Sequence, residues 1–469
     1  MMRMSLKNLV RDTIWSDEVR GTRNDDMIEI TWGNDTVRAG DGSDTIWDFD
    51  GTANMYHDIW LASDDLIYGG KGNDKIFAGL GADTIDGGDG VDTLDYGYSK
   101  SGVTVDLQTG RGTGGHAQGD VISSIEILYG SKHDDKLTAI DGAVIYGDDG
   151  HDVLVSADNT QLYGGAGNDH FVIRSQGGQN VDIEGGPGVD TLDFSGLASP
   201  IAWVGRLGGV FWVSPTGSAD AVDVSSKSVE KIIGTEFGDS IDFWEWGIDP
   251  SETRVANGRG GDDLLSGHSS RDFLFGGTGN DTLHGMGNVD MLSGEEGNDV
   301  LDGGSGNDVL SGGSGNDLIY FTSQVYGSAN SDNDTLTGGA GSDRFSLHYG
   351  GIPKTSRGDG PATDLITDFQ QGVDLIDLSA EDARSDLAGH QDFSLAGGFS
   401  RPAFNGLNRS GFELTDYWNV FNPTPTGQIT THIKGGQTFV NLHVDADGLP
   451  DQILILVGQI NLTASDFIF

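Results

Sequence analysis

The chain has 469 residues, with 26 Lys and Arg against 73 Asp and Glu, a formal charge of −47, 76 Gly, 10 Pro and no Cys. No basic stripe is available to meet a phosphate backbone, which excludes nucleic acid as a partner and favours divalent cations. Disulfides and thiolate metal sites are excluded too, and no apolar stretch approaches the ~18 residues of a membrane-spanning helix.

Hydrophobic residues make up 36% of the chain, enough for thin cores and too many for a disordered polymer. Of the acids only 12 are Glu and 61 are Asp; Asp suits turns and metal loops where Glu suits helices. Abundant glycine with so little proline excludes collagen and assigns the glycine to turns.

In chain order, Met1 to Trp15 has charges at Arg3, Lys7, Arg11 and Asp12 and no apolar run of secretory-leader length. Asp17, Asp26, Asp35 and Asp44 follow at nine-residue spacing, then Asp65, Asp74, Asp83 and Asp92, where GGKGNDKIF begins at Gly69 and includes Gly72. Two longer segments, Tyr96–Leu137 and Phe194–Ile241, share a plan and read as strands that widen a solenoid. Weaker copies of the repeat around them supply Asp152, Asp169 and Asp190.

The strictest run is Asp263, Asp272, Asp281, Asp290, Asp299, Asp308 and Asp317. Its best copies are GGTGNDTLH with Gly276 and Gly279, GGSGNDVLS with Gly303 and Gly306, and GGSGNDLIY with Gly312 and Gly315. Asp334 and Asp343 extend it.

Each unit is a glycine-rich turn followed by a short strand with one inward apolar residue, such as Ile67, Leu283 or Leu301. Two units make a coil, so acids eighteen apart, such as Asp281 and Asp299, are expected to stack about 4.7–4.9 Å apart and to repel. Glycines at the first, second and fourth positions are expected to supply backbone angles closed to other residues. Hard carbonyl and carboxylate oxygens select Ca²⁺. Pairs within the strict series give nine sites, and about a dozen with weaker copies under the nonapeptide rule. At a Kd near 10⁻⁴ M, millimolar calcium supplies roughly 1.4 kcal/mol per site. Folding is therefore expected to require calcium.

These residues resemble the RTX, or haemolysin-type, calcium-binding repeat family, which implies an all-β parallel β-roll or β-solenoid with a β-rich C-terminal cap. The segments DLITDFQQGVDLIDLSAEDA (364–383) and 439–469 resemble the C-terminal domain of serralysin-type secreted metalloproteases. The end Asp466-Phe-Ile-Phe469 resembles that family's secretion signal. The resemblance implies an extracellular or cell-surface location and export by type I secretion machinery. Asp445, Asp447 and Asp451 read either as one more calcium loop or as an ion-free Asp turn.

The expected division is 1–51 and 52–96 as two β-roll segments, 97–237 as a widened solenoid, 238–350 as the main roll and 351–469 as the cap. No catalytic residue is assigned. None of the eleven His is followed by Glu, so HExxH is absent, and Gly267-His268-Ser269-Ser270-Arg271 lacks the last glycine of a nucleophile elbow. Trp15, Trp32, Trp47, Trp60, Trp203, Trp212, Trp244 and Trp246 either stack on sugars or cover coil edges. The expected function is a non-enzymatic surface, matrix or adhesive component, with calcium-dependent self-assembly or cell-surface glycans as further interactions. A polysaccharide-acting enzyme and a membrane-active toxin are the alternatives.

Overall fold

The computed structural model describes residues 8–12, 15–49, 62–174, 180–204, 210–213, 222–243, 253–321, 333–347, 362–378, 417–419, 428–443 and 452–468. Among these the fold is all-β, with 3₁₀ turns at Gly115–Ala117 and Ala464–Asp466 as the only helical elements. The chain forms two units, Met1–Ile233 and Gly234–Phe469.

In each unit two parallel ladders face each other and the chain alternates between them. In the second unit one ladder stacks Thr253–Gly260, Arg271–Thr278, Met291–Glu296, Val309–Ser314, Thr335–Ala340, Ala362–Ile366 and Gln452–Val457. The other stacks Ser240–Asp242, Leu264–Ser266, Thr282–His284, Val300–Asp302, Leu318–Phe321, Arg344–Leu347, Leu375–Asp377 and Phe467–Ile468. This is the parallel β-roll expected from the repeat.

A three-residue strand has room for one inward side chain, and the repeat places Leu or Ile there. Leu265, Leu283, Leu301 and Ile319 line one inner face and Leu274, Leu292 and Leu310 the other, all at most 1% exposed. Each such burial contributes about 1.5–3 kcal/mol, so the core is a column one residue wide on each face.

Two expected boundaries fall inside continuous ladders. Thr36–Asp41 pairs directly with Leu66–Lys71, so 1–51 and 52–96 form one stack. The cap likewise continues the roll, because Thr335–Ala340 pairs with Ala362–Ile366 and that strand with Gln452–Val457. The first boundary rested on the break in nine-residue spacing between Asp44 and Asp65 and the second on a change of composition, and backbone hydrogen bonding in register runs across both. The first long segment does widen the solenoid, on one ladder only: Val121–Ser123 pairs parallel with Thr84–Asp89, and Arg111–Thr113 and Thr104–Asp106 follow antiparallel before Lys136–Thr138.

Leu301→Ala, which opens a cavity in a column with no side chain able to collapse into it, is expected to lower the stability of the calcium-loaded protein by about 2–5 kcal/mol. Urea denaturation at fixed millimolar calcium measures this.

Candidate metal centre

The sixth-position aspartates line the turns in columns, and nearly all are at most 3% exposed; Asp17 is half-buried. They do not simply repel across the gap. The backbone N–H of each Asp donates to Oδ1 of the Asp one coil later: Asp263 to Asp281 at 2.8 Å, Asp281 to Asp299 at 2.8 Å, Asp299 to Asp317 at 2.9 Å and Asp317 to Asp343 at 3.1 Å. The opposite edge runs Asp272, Asp290, Asp308, Asp334 and Asp364 with the same bond. In the first unit the columns are Asp17, Asp35, Asp65, Asp83 and Asp120, then Asp26, Asp44, Asp74, Asp92 and Glu126. A third is Asp135, Asp152, Asp169, Asp190 and Glu230. The step is eighteen residues in strict repeats but 17 from Asp135 to Asp152 and 26 from Asp317 to Asp343, and the bond is kept across each.

The second carboxylate oxygen divides the turns into two classes. In Asp92, Asp152, Asp169, Asp190, Asp263, Asp281, Asp290, Asp299, Asp317 and Asp343, Oδ2 is buried without a hydrogen-bond partner. In each of these the residue four before the Asp has positive φ: Gly88, Asp148, Gly165, Gly186, Arg259, Gly277, Met286, Glu295, Gly313 and Gly339. Such a backbone turns its N–H away from the carboxylate; Gly165 donates instead to Gly185 O at 3.0 Å. In the other class that residue has ordinary φ and its N–H caps Oδ2: Thr22 on Asp26 at 2.5 Å, Ser131 on Asp135 at 2.5 Å, Thr235 on Asp239 at 2.6 Å, His268 on Asp272 at 2.7 Å and Gln370 on Asp374 at 2.7 Å. Ser131 and Thr235 add hydroxyl bonds of 2.9 Å to Oδ1.

The glycines act for two different reasons. Gly72, Gly279, Gly306 and Gly315, at the fourth position, have φ of +124°, +137°, +151° and +142°, as expected. First-position glycines do not have positive φ; they are needed because a side chain would occupy the site. A Cβ on Gly69, Gly276, Gly303 or Gly312 would lie 2.2–2.4 Å from Oδ2 of the Asp five residues later, and at Gly312 also 2.7 Å from Gly338 O. The ladder steps over this residue, pairing Phe275 with Ser293 and then Gly277 with Glu295. Each uncapped turn therefore gathers a buried carboxylate oxygen and a backbone carbonyl around one small space, a hard, flexible oxygen set that fits Ca²⁺.

Burial is the main cause that raises these carboxyls, with neighbouring carboxylates adding to it and the N–H on Oδ1 opposing it. Asp281 and Asp317 are pushed up to about 6, Asp190 to about 7, Asp152 and Asp263 to about 8 and Asp290 to about 9. A cation beside them would restore the carboxylate form.

Several site residues escaped the sequence reading. Asp135 and Asp239 sit in GSKHDDKL and GTEFGDSI, degenerate copies whose spacing was legible. Glu126 and Glu230 replace Asp where the long segments rejoin the ladder, and the shared I/V-E motif was the available signal. Asp120 is held by the fully buried Tyr96 hydroxyl at 2.7 Å, a pairing that only the fold creates. Ser270, in the elbow-like sequence, bonds Asp272 at 2.9 Å. Asp445, Asp447 and Asp451 lie outside the described residues.

Two outcomes follow. Folded-state carboxyls raised above their usual ~3.9 favour the fold when protonated, and that support is lost as pH rises through the raised values; chelated protein should keep its β-structure near pH 4 and lose it between about pH 6 and 9, read by far-UV circular dichroism. Asp281→Asn, which removes a buried charge, should stabilise chelated protein at pH 8 and destabilise calcium-loaded protein, whereas Thr235→Ala should cost about 1–3 kcal/mol in both; paired denaturation curves with and without calcium measure the sign.

No curated protein matches the sequence. Among solved structures the chain is similar to a hyperactive, Ca²⁺-dependent, beta-helical antifreeze protein from an Antarctic bacterium, at 16% identity and a TM-score of 0.21, over 74% of this chain and 86% of that chain. Residues 29–52, 61–94, 156–172, 255–283, 284–319 and 328–347 match the RTX calcium-binding nonapeptide repeat model. Both units of the chain thus carry RTX calcium-binding nonapeptide repeats.

Proposed function

We propose that this is an exported, non-enzymatic calcium-binding protein in which the ion switches the fold on, and whose acidic solenoid serves as a surface, matrix or adhesive component. The observation that carries this reading is the recurrence of buried, uncapped Asp Oδ2 atoms along both units. A chain with that many uncompensated carboxylates pays a desolvation cost at every coil, and millimolar calcium outside the cell offsets it where submicromolar calcium inside does not.

Export by a type I route rests on the serralysin-like C-terminal sequence. Asp466 is buried with its carboxylate on Thr463 N at 2.6 Å, and Phe467–Ile468 pairs with Leu375–Asp377, so this segment docks onto the roll once folded. A non-enzymatic role is supported by the use of Ser270 and Asp272 within a turn.

The aromatic residues favour covering over sugar stacking. Tyr129, Tyr146 and Tyr163 stack on one another at 4.4 and 4.7 Å, and Trp47 on Phe77 at 3.8 Å. Rings that spend their faces on each other present mainly edges, whereas a sugar needs an open face. Trp15 is 73% exposed. Only the backbone of Trp203 and Trp212 is described, and Trp60, Trp244 and Trp246 lie outside the described residues.

Calcium titration of the chelated protein is expected to give a coil-to-β transition between about 10⁻⁴ and 10⁻³ M, with particle size rising in light scattering. β-Structure at pH 8 in chelator would overturn the switch, and folding without association would overturn the assembly role.

A further inference from the structure

One edge of the first unit departs from the repeat in a way the nonapeptide rule does not contain. Strands Asn8–Arg11, Asp26–Ile30, Thr45–Asp48 and Lys75–Phe77 stack in register, and the column that closes them inward reads Asp12, Ile30, Asp48, Ala78. Ile30 and Ala78 are buried apolar residues at 0% and 2% exposure, while Asp48 puts a carboxylate at the same inward position at 4%. Both extra acids meet the turn column. Asp12, Asp17 and Asp35 each bring one oxygen within 4.8 Å of the others, and Asp48, Asp65 and Asp83 do the same.

Two further features set these clusters apart from an acidic patch. Asp35 and Asp65 are each 1% exposed, and each keeps an Oδ2 without a hydrogen-bond partner. The turn N–H that elsewhere caps a column carboxylate is taken by the extra acid in both clusters: Thr31 N, four residues before Asp35, donates to Asp12 Oδ2 at 2.7 Å, and Gly79 N, four residues before Asp83, donates to Asp48 Oδ2 at 3.2 Å. The arrangement occurs twice, two coil steps apart.

Resting on the calcium reading above, we infer that Asp12/Asp17/Asp35 and Asp48/Asp65/Asp83 are two three-carboxylate cation sites that bind calcium more tightly than the remaining turns and fill first. Calcium affinity rises with the number of charged ligands and the rigidity of the site, and a triad of carboxylates, fully buried at Asp48/Asp65/Asp83 and anchored on buried Asp35 at the other, gathers more charge than a turn with one carboxylate and a carbonyl. The first coils of this unit would then fold around these two ions at calcium too low for the rest of the solenoid, whose transition lies between about 10⁻⁴ and 10⁻³ M.

The test is equilibrium dialysis of the full chain in calcium buffers with elemental analysis of bound metal. At about 10⁻⁶ M free calcium, well below the range of extracellular modules, wild type should retain two ions, Asp12→Asn and Asp48→Asn one each, the double variant none, and Asp281→Asn both. Far-UV circular dichroism at millimolar calcium checks that each variant folds. Absence of a tight class in wild type, or its survival in the double variant, overturns the inference while leaving the calcium reading intact; no calcium bound at millimolar concentration overturns both.

Discussion

A carboxylate buried in the turn, with one oxygen spoken for and, in the uncapped turns, the other left bare, is the constraint around which this molecule is organised. Oδ1 accepts the N–H of the neighbouring coil and so fixes register, while Oδ2 points at the glycine five residues earlier. The first oxygen belongs to the fold whether or not a cation is present. The second makes the fold conditional, because a charge held away from water without a partner is among the costliest arrangements a protein can contain.

The same ladder explains why the coils tolerate so much irregularity. Asp35 and Asp65 are 30 residues apart and Asp317 and Asp343 are 26 apart, yet the N–H···Oδ1 bond re-forms at 2.7 and 3.1 Å. Where an Asp is missing, Glu126 or Glu230 reaches the same N–H. Closing a longer connection costs little per added residue compared with leaving a buried N–H unsatisfied, so register is held across coil steps of unequal length.

Not every turn depends on a cation equally. Where the residue four before the Asp keeps ordinary φ, as at Thr22, Ser131, Thr235, His268 and Gln370, the backbone itself caps the carboxylate. Positive φ at non-glycine residues such as Arg259, Met286 and Glu295 stores strain of about 1–3 kcal/mol each, which leaves the oxygen open. Capped turns stand at the ends of runs of uncapped ones, as Asp135 does before Asp152, Asp169 and Asp190 and as Asp239 and Asp374 do on either side of Asp263 to Asp343, so rungs that hold without metal flank rungs that need it.

The amino-acid sequence by itself determined the solenoid, its inward Leu and Ile columns, its calcium-type turns and most of the sixth-position acids, because a nine-residue period writes side-chain direction, turn and ligand into one short motif. Only the tertiary structure decided what each acid faces. The capping of Asp239 by Thr235, the pairing of Asp120 with Tyr96 and the convergence of Asp48 on Asp65 and Asp83 depend on backbone angles and on coils tens of residues apart. The inward parity of Asp48 could be read from TIWD beside buried Ile46, but not the carboxylates waiting across the edge. A periodic sequence fixes the position of a residue along the coil; which neighbour it meets is set by how the interrupted coils re-enter register.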